Sequence, residues 1–465
     1  MDFVKEAVQI DPQGRVAIRD KKKLQEGIID QLIHLGVFGK PDQQALAFWL
    51  IWEVGQAMGI YPASIHEFYL AIGRGEVPGR FTVPAINLRA MSYDCARAAF
   101  KAAIPRKVGA LIFEIARSEM GYTAQRPREY FSSVMAAAIK EGFQGPLFIQ
   151  GDHFQVSEKK FKEKPEEETL AIEQLIVEAT QAGFYNIDID TSTLVDLGQA
   201  TVSEQQRANY ELCARFTTFI RRHQPQGITI SVGGEIGEVG GKNSDETELR
   251  AYMDGFKRSL SPGLAGLSKI SIQTGTSHGG VVLPDGTLAQ VAIDFKVLKD
   301  LSQVARISYG MGGTVQHGAS TLPDAAFSQF VENDAVEVHL ATGFQNMIYD
   351  HPQFPSGLKQ NIYQYLKSKH GDEWKSGKTE EQFLYNTRKK GLGPFKAELW
   401  GLPEENKLAI RRDLEGKFGF YFDQLQVDDT LELVRKFIPP LRIEKKQAEF
   451  GIDQGKEEDV SDLAD

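Results

Sequence analysis

Side chains that can bind a metal or transfer a proton recur where apolar stretches of the sequence end. Asp152 and His153 follow the apolar run 147–149, and two further histidines, His278 and His317, each stand directly before a glycine. Imidazole nitrogens are preferred zinc ligands, and three protein ligands leave a position open for water or substrate. A single histidine is more often a packing or surface residue. The prediction of a metal site therefore depends on the three histidines meeting.

The order of apolar stretches indicates how they would meet. Eight strand-like stretches alternate with helical stretches, at 81–88, 108–116, 145–153, 184–190, 227–237, 267–275, 305–313 and 335–343. Strands that alternate with helices favour a parallel sheet. Eight such units in this length predict an α/β fold, a closed (β/α)₈ barrel. An open doubly wound sheet is the alternative, but the glycine-rich first turn typical of that fold is absent.

In a (β/α)₈ barrel the chemistry lies at the carboxyl ends of the strands. The polar residues predicted at those ends are Asn87, Asp152, His153, Asp190, Ser192, Glu235, His278, His317, His339 and Thr342. Glycines beside two of the histidines would let backbone N–H groups approach an anion, and phosphate commonly binds after the last two strands of this fold. The simpler alternative is that these glycines only make tight turns.

Composition excludes several classes of function. The chain has 465 residues and a net charge of −10 with no strongly basic segment, so we expect no nucleic-acid partner. Two cysteines rule out a disulfide scaffold. The most apolar run, 45–52, is too short to span a bilayer, and the N-terminus has no signal pattern. We therefore expect a cytoplasmic protein with no membrane partner.

Two extensions and a tail flank the predicted barrel. Residues 1–80 and 346–443 are predicted to be helical, and 444–465 form a polar tail predicted to be disordered. The charge run 157–168 is interpreted as a solvated, mobile loop. Arg388 and Lys389 are interpreted as a solvated basic patch, with binding of a distal phosphate as the alternative.

Six motifs in order give a resemblance to a known family. They are VPAINL, GDH, IDIDTS, GGEIGEVGG, GTSHGG and QHGAS. Together they resemble the class II, metal-dependent ketose-bisphosphate aldolases, which include the fructose- and tagatose-bisphosphate aldolases of carbohydrate metabolism such as glycolysis. The resemblance covers about residues 81–345. It implies reversible aldol cleavage of a phosphorylated ketose to dihydroxyacetone phosphate and an aldehyde, in a cytoplasmic homo-oligomer.

The resemblance also implies roles for individual residues. His153, His278 and His317 would bind Zn²⁺ or another divalent cation, with Glu235 as an alternate ligand. Asp152 would be the catalytic acid and base. The residues implied in substrate binding are Asn87, at the floor of the site, and Gly279, Gly318, Ser320 and Thr342, around the phosphate.

The last strand departs from the family pattern. The family has Asn-x-Asp-Thr-Asp where this chain has His339, Ala341 and Gly343, and the family's loop acid is replaced by Asn243. Asp245 and Glu246 are the nearby acids that offer a replacement. These changes predict an altered sugar specificity. They also leave open a non-catalytic or assisting aldolase-like subunit, and a metal-binding sugar-phosphate sensor or scaffold.

Overall fold

The structure is a computed structural model that describes residues 2–12, 14–237, 242–275, 283–284, 293–451 and 462–463. Eleven strands lie within these ranges: β1 (Val8–Ile10), β2 (Val16–Ile18), β3 (Ile60–Ala63), β4 (Val83–Asn87), β5 (Ile112–Ala116), β6 (Gly145–Gln155), β7 (Asn186–Asp190), β8 (Ser231–Glu235), β9 (Lys269–Ser271), β10 (Thr314–Gln316) and β11 (Glu337–Leu340).

Strands β4 to β11 form a closed parallel barrel. Each pairs with the next along the chain, and β11 returns to pair with β4 through Leu340 and Ile86. Every residue of these eight strands is buried, as expected for strands covered by helices on the outside. The predicted (β/α)₈ barrel is therefore confirmed.

Helices surround the barrel and make up both extensions. The α-helices are Lys21–Lys23, Ile29–Phe38, Pro41–Ala57, His66–Gly73, Ser92–Ala103, Arg117–Tyr122, Pro127–Glu141, Glu158–Glu163, Pro165–Ala182, Val202–Gln205, Arg207–His223, Glu246–Ser259, Phe295–Tyr309, Phe327–Glu332, Thr342–Tyr349, Ser356–Lys369, Glu380–Thr387, Lys396–Trp400, Glu404–Leu425 and Thr430–Phe437. A π-helical turn covers Leu24–Ile28, and short 3₁₀ turns lie at Asp2–Glu6, Ser192–Leu194, Asp324–Ala326, Gly371–Glu373, Arg388–Gly391 and Gln447–Phe450. Within the described residues, no helix combines the length and the hydropathy that crossing a membrane requires.

The seventh predicted strand was placed wrongly. Residues 305–309 end the helix Phe295–Tyr309, which Gly310 terminates in a left-handed conformation with φ of 70°. The strand itself is β10, a few residues later. The apolar content of residues 305–313 does not distinguish the end of a helix from a strand, because a short apolar run fits either one when it is buried.

The charge run 157–168 is helical rather than a mobile loop. The Ser157 hydroxyl accepts a hydrogen bond from the Lys160 N–H and begins the helix Glu158–Glu163. Glu168, at the end of the run, is buried and pairs with Arg117 at 2.6 Å. This ion pair attaches the run to the end of β5.

The N-terminal extension also contributes to the sheet. Strand β3 pairs with the first residues of β6, Ile60 to Gly145 and Ala63 to Phe148, whereas β7 pairs further along β6, from Gln150 onward. The Asn186 side chain joins the strands by donating to the Ala63 and Ile149 carbonyls. The first 80 residues are therefore helical in part and include the hairpin β1–β2 and strand β3.

The C-terminal extension is helical, and the tail after it begins as an ordered segment. The Trp49 and Trp52 indoles donate hydrogen bonds to the carbonyls of Lys445 and Ile443, each at 3.0 Å. Phe450 is buried against Trp52. The predicted disorder is therefore wrong for residues 444–451, because two buried tryptophans bind this backbone. Residues 452–461 and 464–465 lie outside the described residues.

Candidate active site

A bulge in β6 brings two consecutive functional residues to the same side of the strand. Successive side chains of a regular strand point to opposite faces. Here the pairing with β7 shifts register between Gly151 and Phe154, and His153 has a left-handed φ of 37°. Asp152 and His153 are both buried, and both lie near the carboxyl end of β6. A bulge of this kind redirects a side chain, often beside an active site.

Three predicted ligands converge at this bulge. The Asp152 Oδ1 atom lies 3.7 Å from both the His153 Nε2 and the His317 Nε2 atoms. Glu235 lies on the other edge of the two rings, 3.4 Å from His153 Nδ1 and 4.0 Å from His317 Nδ1. His278 and Gly279, the remaining predicted ligand and its neighbour, lie outside the described residues.

Asp190 orients His153. Its Oδ2 atom lies 3.2 Å from His153 Nδ1. The Gln155 amide and the Ser192 hydroxyl donate hydrogen bonds to the same carboxylate, at 2.6 and 2.7 Å. A carboxylate beside an imidazole nitrogen fixes the orientation of the ring. Asp190 was predicted at the rim, but its role in orienting His153 was not.

The donor set suits a divalent cation. His153, Glu235 and His317 offer one ligand atom each, all within 4.8 Å of one another, and all three residues are buried. Burial raises the pKa of the Glu235 carboxyl well above its ordinary value, and the nearby Asp190 charge adds to this effect. A bound cation would remove the cost of burying that charge. Two imidazoles and a carboxylate match the ligands of catalytic zinc sites.

A second set of ionisable residues fills the barrel below Asp152, and the sequence reasoning missed it. The Lys269 ammonium of β9 contacts the Asp188 and Glu337 carboxylates at 2.9 and 2.5 Å. The Lys269 ammonium also donates a hydrogen bond to the Gln150 amide oxygen. The Tyr69 hydroxyl donates a hydrogen bond to the Glu337 carboxylate at 2.5 Å. A usable signal existed: charged residues inside apolar strands of a parallel barrel have to face its interior.

His339 links this lower set to Asp152. Its Nε2 atom is 2.6 Å from Glu337, and its Nδ1 atom is 3.1 Å from Glu114 and 3.2 Å from Asp152. Its ring also packs against the His317 ring, with the centroids 4.1 Å apart. The residue that departs from the family pattern thus lies at the centre of the site.

Buried carboxyls in the site have raised pKa values. Burial, together with the charge of Asp152, raises the pKa of Glu114 to about 7. Burial raises the pKa of Asp188 to about 6, against the lowering effect of Lys269. Burial also disfavours the charged form of Glu337, but Lys269 outweighs it and lowers that pKa to about 2. Without a cation, the folded protein therefore holds protons on Glu114 and Asp188 that an unfolded chain would release.

We expect the metal-free protein to lose stability as the pH rises from about 5 to about 8. A carboxyl whose pKa is higher in the folded state stabilises that state below the unfolded pKa and loses this contribution as the pH passes the folded pKa. The raised pKa values of His153 and His339 act in the same direction, and Glu337 titrates below this range. Thermal unfolding in a chelator, measured across this pH range, tests the prediction.

The variant Glu114→Gln provides the control for this pH dependence. It keeps a side chain that can bond to Gln150 and His339 but removes one titrating group. The midpoint temperature of thermal unfolding should fall less steeply with pH in this variant than in the wild type. Equal slopes for the two proteins would contradict the assignment to Glu114.

A small cavity opens beside these groups. Its volume is about 30 Å³, and its lining includes Arg89, Gly318, Ser320 and Thr342 together with Asp152, His153, His317 and His339. This space holds an ion or a few waters rather than a sugar phosphate. Asn87, predicted at the floor, is not among the lining residues. Its amide donates to the Glu119 carboxylate at 2.5 Å, which in turn pairs with Arg89 at 2.6 Å.

Comparison with known protein families agrees with this geometry. The family model described as fructose-bisphosphate aldolase class-II matches residues 77–389, more than half of the chain. The chain belongs to the class II fructose-bisphosphate aldolase family. The match begins shortly before β4 and ends at Lys389, so this aldolase family pattern includes part of the C-terminal extension. A comparison with curated proteins found no match.

Solved structures show the same fold as this class II aldolase family member. The fructuronate-tagaturonate epimerase UxaE from Cohnella laeviribosi superposes with a TM-score of 0.55 at 13% identity, over 92% of this chain and 90% of that chain. A probable tagatose 6 phosphate kinase from Sinorhizobium meliloti 1021 superposes with a TM-score of 0.50 at 16% identity, over 76% of this chain and 93% of that chain. The YdjI aldolase from Escherichia coli K12 superposes with a lower TM-score of 0.46 at 13% identity, over 79% of this chain and 99% of that chain.

Proposed function

We propose that this protein catalyses the metal-dependent, reversible aldol cleavage of a phosphorylated ketose. The observation that carries the proposal is the buried cluster of Asp152, His153, His317 and Glu235 at the carboxyl ends of the strands of a class II aldolase barrel. In this proposal Asp152 is the catalytic acid and base. His153, His317 and Glu235, with His278, hold the divalent cation, for which we propose zinc.

The remaining residues of the proposed site bind the substrate. Gly318, Ser320 and Thr342 line the cavity and would hold the phosphate of dihydroxyacetone phosphate, with Gly279 as a further proposed contact. Because the cavity of about 30 Å³ is smaller than a sugar phosphate, its lining would have to move apart when the substrate binds. Asn87 would act through Glu119, whose carboxylate it holds beside Arg89.

Asp152 moves the proton in the proposed reaction. Its carboxylate removes the proton of the C4 hydroxyl as the bond between C3 and C4 breaks. C4 becomes the carbonyl carbon of the aldehyde, and the bonding electron pair passes to C3 as an enediolate. The enediolate then takes a proton at C3, which comes from the solvent, and becomes dihydroxyacetone phosphate. When bound, the divalent cation supplies positive charge that stabilises this enediolate. In the direction of condensation Asp152 returns its proton to the aldehyde oxygen.

Proton exchange tests this chemistry without knowledge of the aldehyde. The zinc-loaded protein is mixed with dihydroxyacetone phosphate in D₂O, and loss of the signal of one C3 proton is followed by NMR. An aldolase exchanges this proton because the enediolate forms reversibly. A binding subunit or a sugar-phosphate sensor would bind the compound without exchange. Absence of both exchange and cleavage of any tested ketose phosphate would contradict the proposal.

We also propose that Arg89 and Lys389 recognise an anionic group of the substrate. Arg89 is buried and lines the cavity. Lys389, in the turn Arg388–Gly391, packs 5.7 Å from the Tyr122 ring, and burial together with the positive charge of Arg89 lowers its pKa to about 7. Glu119 is the carboxylate that faces both cations. An anion of the substrate would therefore favour the charged form of Lys389.

Replacing Lys389 by Met should raise the KM for the anionic substrate roughly 10- to 100-fold with little change in kcat, the size expected for one charged hydrogen bond. The matched control is Lys390→Met in the neighbouring residue, whose ammonium pairs with Glu373 at 2.7 Å. This variant should keep the wild-type KM. Steady-state kinetics of both variants test the assignment, and equal KM values would contradict it.

A second candidate function is the epimerisation of a keto sugar at C4. The structure of an epimerase matches 92% of this chain, so that match extends beyond the barrel. The same bond cleavage achieves this reaction if the aldehyde turns in the site before the bond forms again. The substrate of that relative, a keto sugar acid, carries a carboxylate that Arg89 and Lys389 would suit.

Product analysis separates the two candidates. Ketose phosphates and the hexuronates fructuronate and tagaturonate are incubated with the zinc-loaded protein and followed by ¹³C NMR. Release of a three-carbon product favours the aldolase. Interconversion of the two six-carbon sugars without that release favours the epimerase. Because the last strand has lost the family's Asn and Asp residues, we expect fructose-1,6-bisphosphate to be a poor substrate.

A further inference from the structure

The backbone conformation at His153 is unfavourable by itself. His153 has a left-handed φ of 37°, which residues with a Cβ atom generally avoid. The regular pairing of β6 with β7 is also interrupted between Gly151 and Phe154. Such a conformation persists only where the surrounding structure holds the chain in place. The contacts that fix the segment after the bulge therefore determine where the Asp152 and His153 side chains lie.

Two side chains hold the backbone of this segment. The Gln155 carbonyl accepts a hydrogen bond from the Arg117 guanidinium at 2.7 Å. The Ser157 N–H donates a hydrogen bond to the Glu168 carboxylate at 2.8 Å. The chain is thus held at both ends of the residues 155–157, directly after the bulge.

Arg117 and Glu168 also form an ion pair with each other. The Arg117 Nη1 atom lies 2.6 Å from one oxygen of the Glu168 carboxylate, and the Nη2 atom lies 3.3 Å from the other. Both side chains are only 2% exposed. Arg117 directly follows β5, and Glu168 lies in the first turn of the helix Pro165–Ala182. Because a guanidinium has several donors in fixed directions, this one side chain binds both the carboxylate and the Gln155 carbonyl.

Gln155 connects the ion pair to the proposed cation site. Its backbone carbonyl binds Arg117, and its side-chain amide donates a hydrogen bond to the Asp190 Oδ2 atom at 2.6 Å. The same Oδ2 atom lies 3.2 Å from the His153 Nδ1 atom. A displacement of Gln155 would therefore move the Asp190 carboxylate and turn the His153 ring.

We propose that Arg117 and Glu168 are positioning residues, which hold the end of β6 so that the His153 ring is oriented for the cation. Neither residue lines the cavity beside the cation ligands, so both act through Gln155 and Asp190. This role rests on the proposed function only through the cation site. Binding of a cation reports it, so no identified substrate is needed.

The variant Arg117→Lys separates positioning from the charge of the ion pair. Lysine keeps the positive charge beside Glu168, but its single ammonium lacks the fork that binds the carboxylate and the Gln155 carbonyl together. The protein is freed of metal with a chelator and titrated with Co²⁺, whose visible absorption bands report the ligands. The affinity for Co²⁺ should fall about 10- to 100-fold, the usual effect of losing a residue that orients a metal ligand. The bands should also shift, because the His153 ring turns.

The variant Glu168→Gln is the conservative counterpart. Its amide oxygen can still accept hydrogen bonds from Arg117 and from the Ser157 N–H, but the guanidinium loses its buried counter-charge. Urea unfolding of the metal-free protein should therefore show a large loss of stability. The affinity of the folded variant for Co²⁺ should stay near that of the wild type. The double variant Arg117→Met with Glu168→Leu removes both hydrogen bonds to the segment and should lose affinity as Arg117→Lys does.

The matched control is Arg97→Lys. Arg97 pairs with Glu141 at 2.6 Å, between two helices on the outside of the barrel, and this variant should keep the wild-type affinity. Circular dichroism shows that each protein is folded during the titration. The proposal is overturned if Arg117→Lys and the double variant bind Co²⁺ as tightly as the wild type, or if the affinity of every variant simply follows its stability. A wild type that binds no cobalt would overturn the proposed cation site, and the positioning role with it.

Discussion

Replacing Asp152 by Asn is expected to lower the turnover of aldol cleavage by about 10²- to 10⁴-fold, the usual contribution of general acid–base catalysis. The amide cannot accept the proton of the C4 hydroxyl, but it keeps the size of the side chain and an oxygen that faces the three histidines. Substrate binding and the cation at His153, His317 and Glu235 should therefore persist. Turnover, affinity for dihydroxyacetone phosphate and bound metal are measured on the same preparation.

Two outcomes would separate Asp152 from this role. Turnover near that of the wild type would remove it from the mechanism. A joint loss of turnover and of the cation at His153 would show that Asp152 orients ligands instead of transferring the proton. Asp372→Asn, an exposed carboxylate far along the chain, is the control and should leave all three measurements unchanged.

Replacing Lys269 by Met should lower the free energy of unfolding by about 3–5 kcal/mol, which is typical when one partner of a buried ion pair is removed. Lys269 is fully buried, and its ammonium contacts Asp188, Glu337 and Gln150. Methionine fills a similar volume but leaves two carboxylates without their cation. Urea unfolding of the metal-free protein measures the change.

The matched control is Lys299→Met, on the exposed side of the helix Phe295–Tyr309. Its effect should stay within about 0.5 kcal/mol, as for most surface substitutions. If Lys269→Met is no more destabilising than this control, Lys269 does not stabilise the interior of the barrel.

The barrel was predictable from the sequence because its signal repeats. Eight apolar stretches separated by helical ones leave few other folds, and the motif residues follow those stretches. The parts that were not predicted depend on contacts distant in sequence. Strand β3 is recognisable only from its pairing with β6, and the ordered start of the tail only from Trp49 and Trp52.

The site was predictable to the extent that its residues follow strand ends. Asp152, His153, His317 and Glu235 were chosen for this reason, and they lie together. The pattern at strand ends does not extend to residues inside the strands, so it does not predict Glu114, Lys269 or Glu337. His339 was noted as a departure from the family pattern, but its contacts with Asp152 and His317 required the structure.

The pairing of β3 with β6 limits where the chain can be divided. Residues 145–148 of β6 use β3 as their neighbour at the amino end of the barrel, opposite the active site. A shortened protein that began at residue 81 would leave these backbone groups as an open sheet edge, which invites association with other chains. The shortest fragment that keeps this edge of β6 paired therefore has to begin before Ile60, although every residue of the proposed active site lies after Phe81.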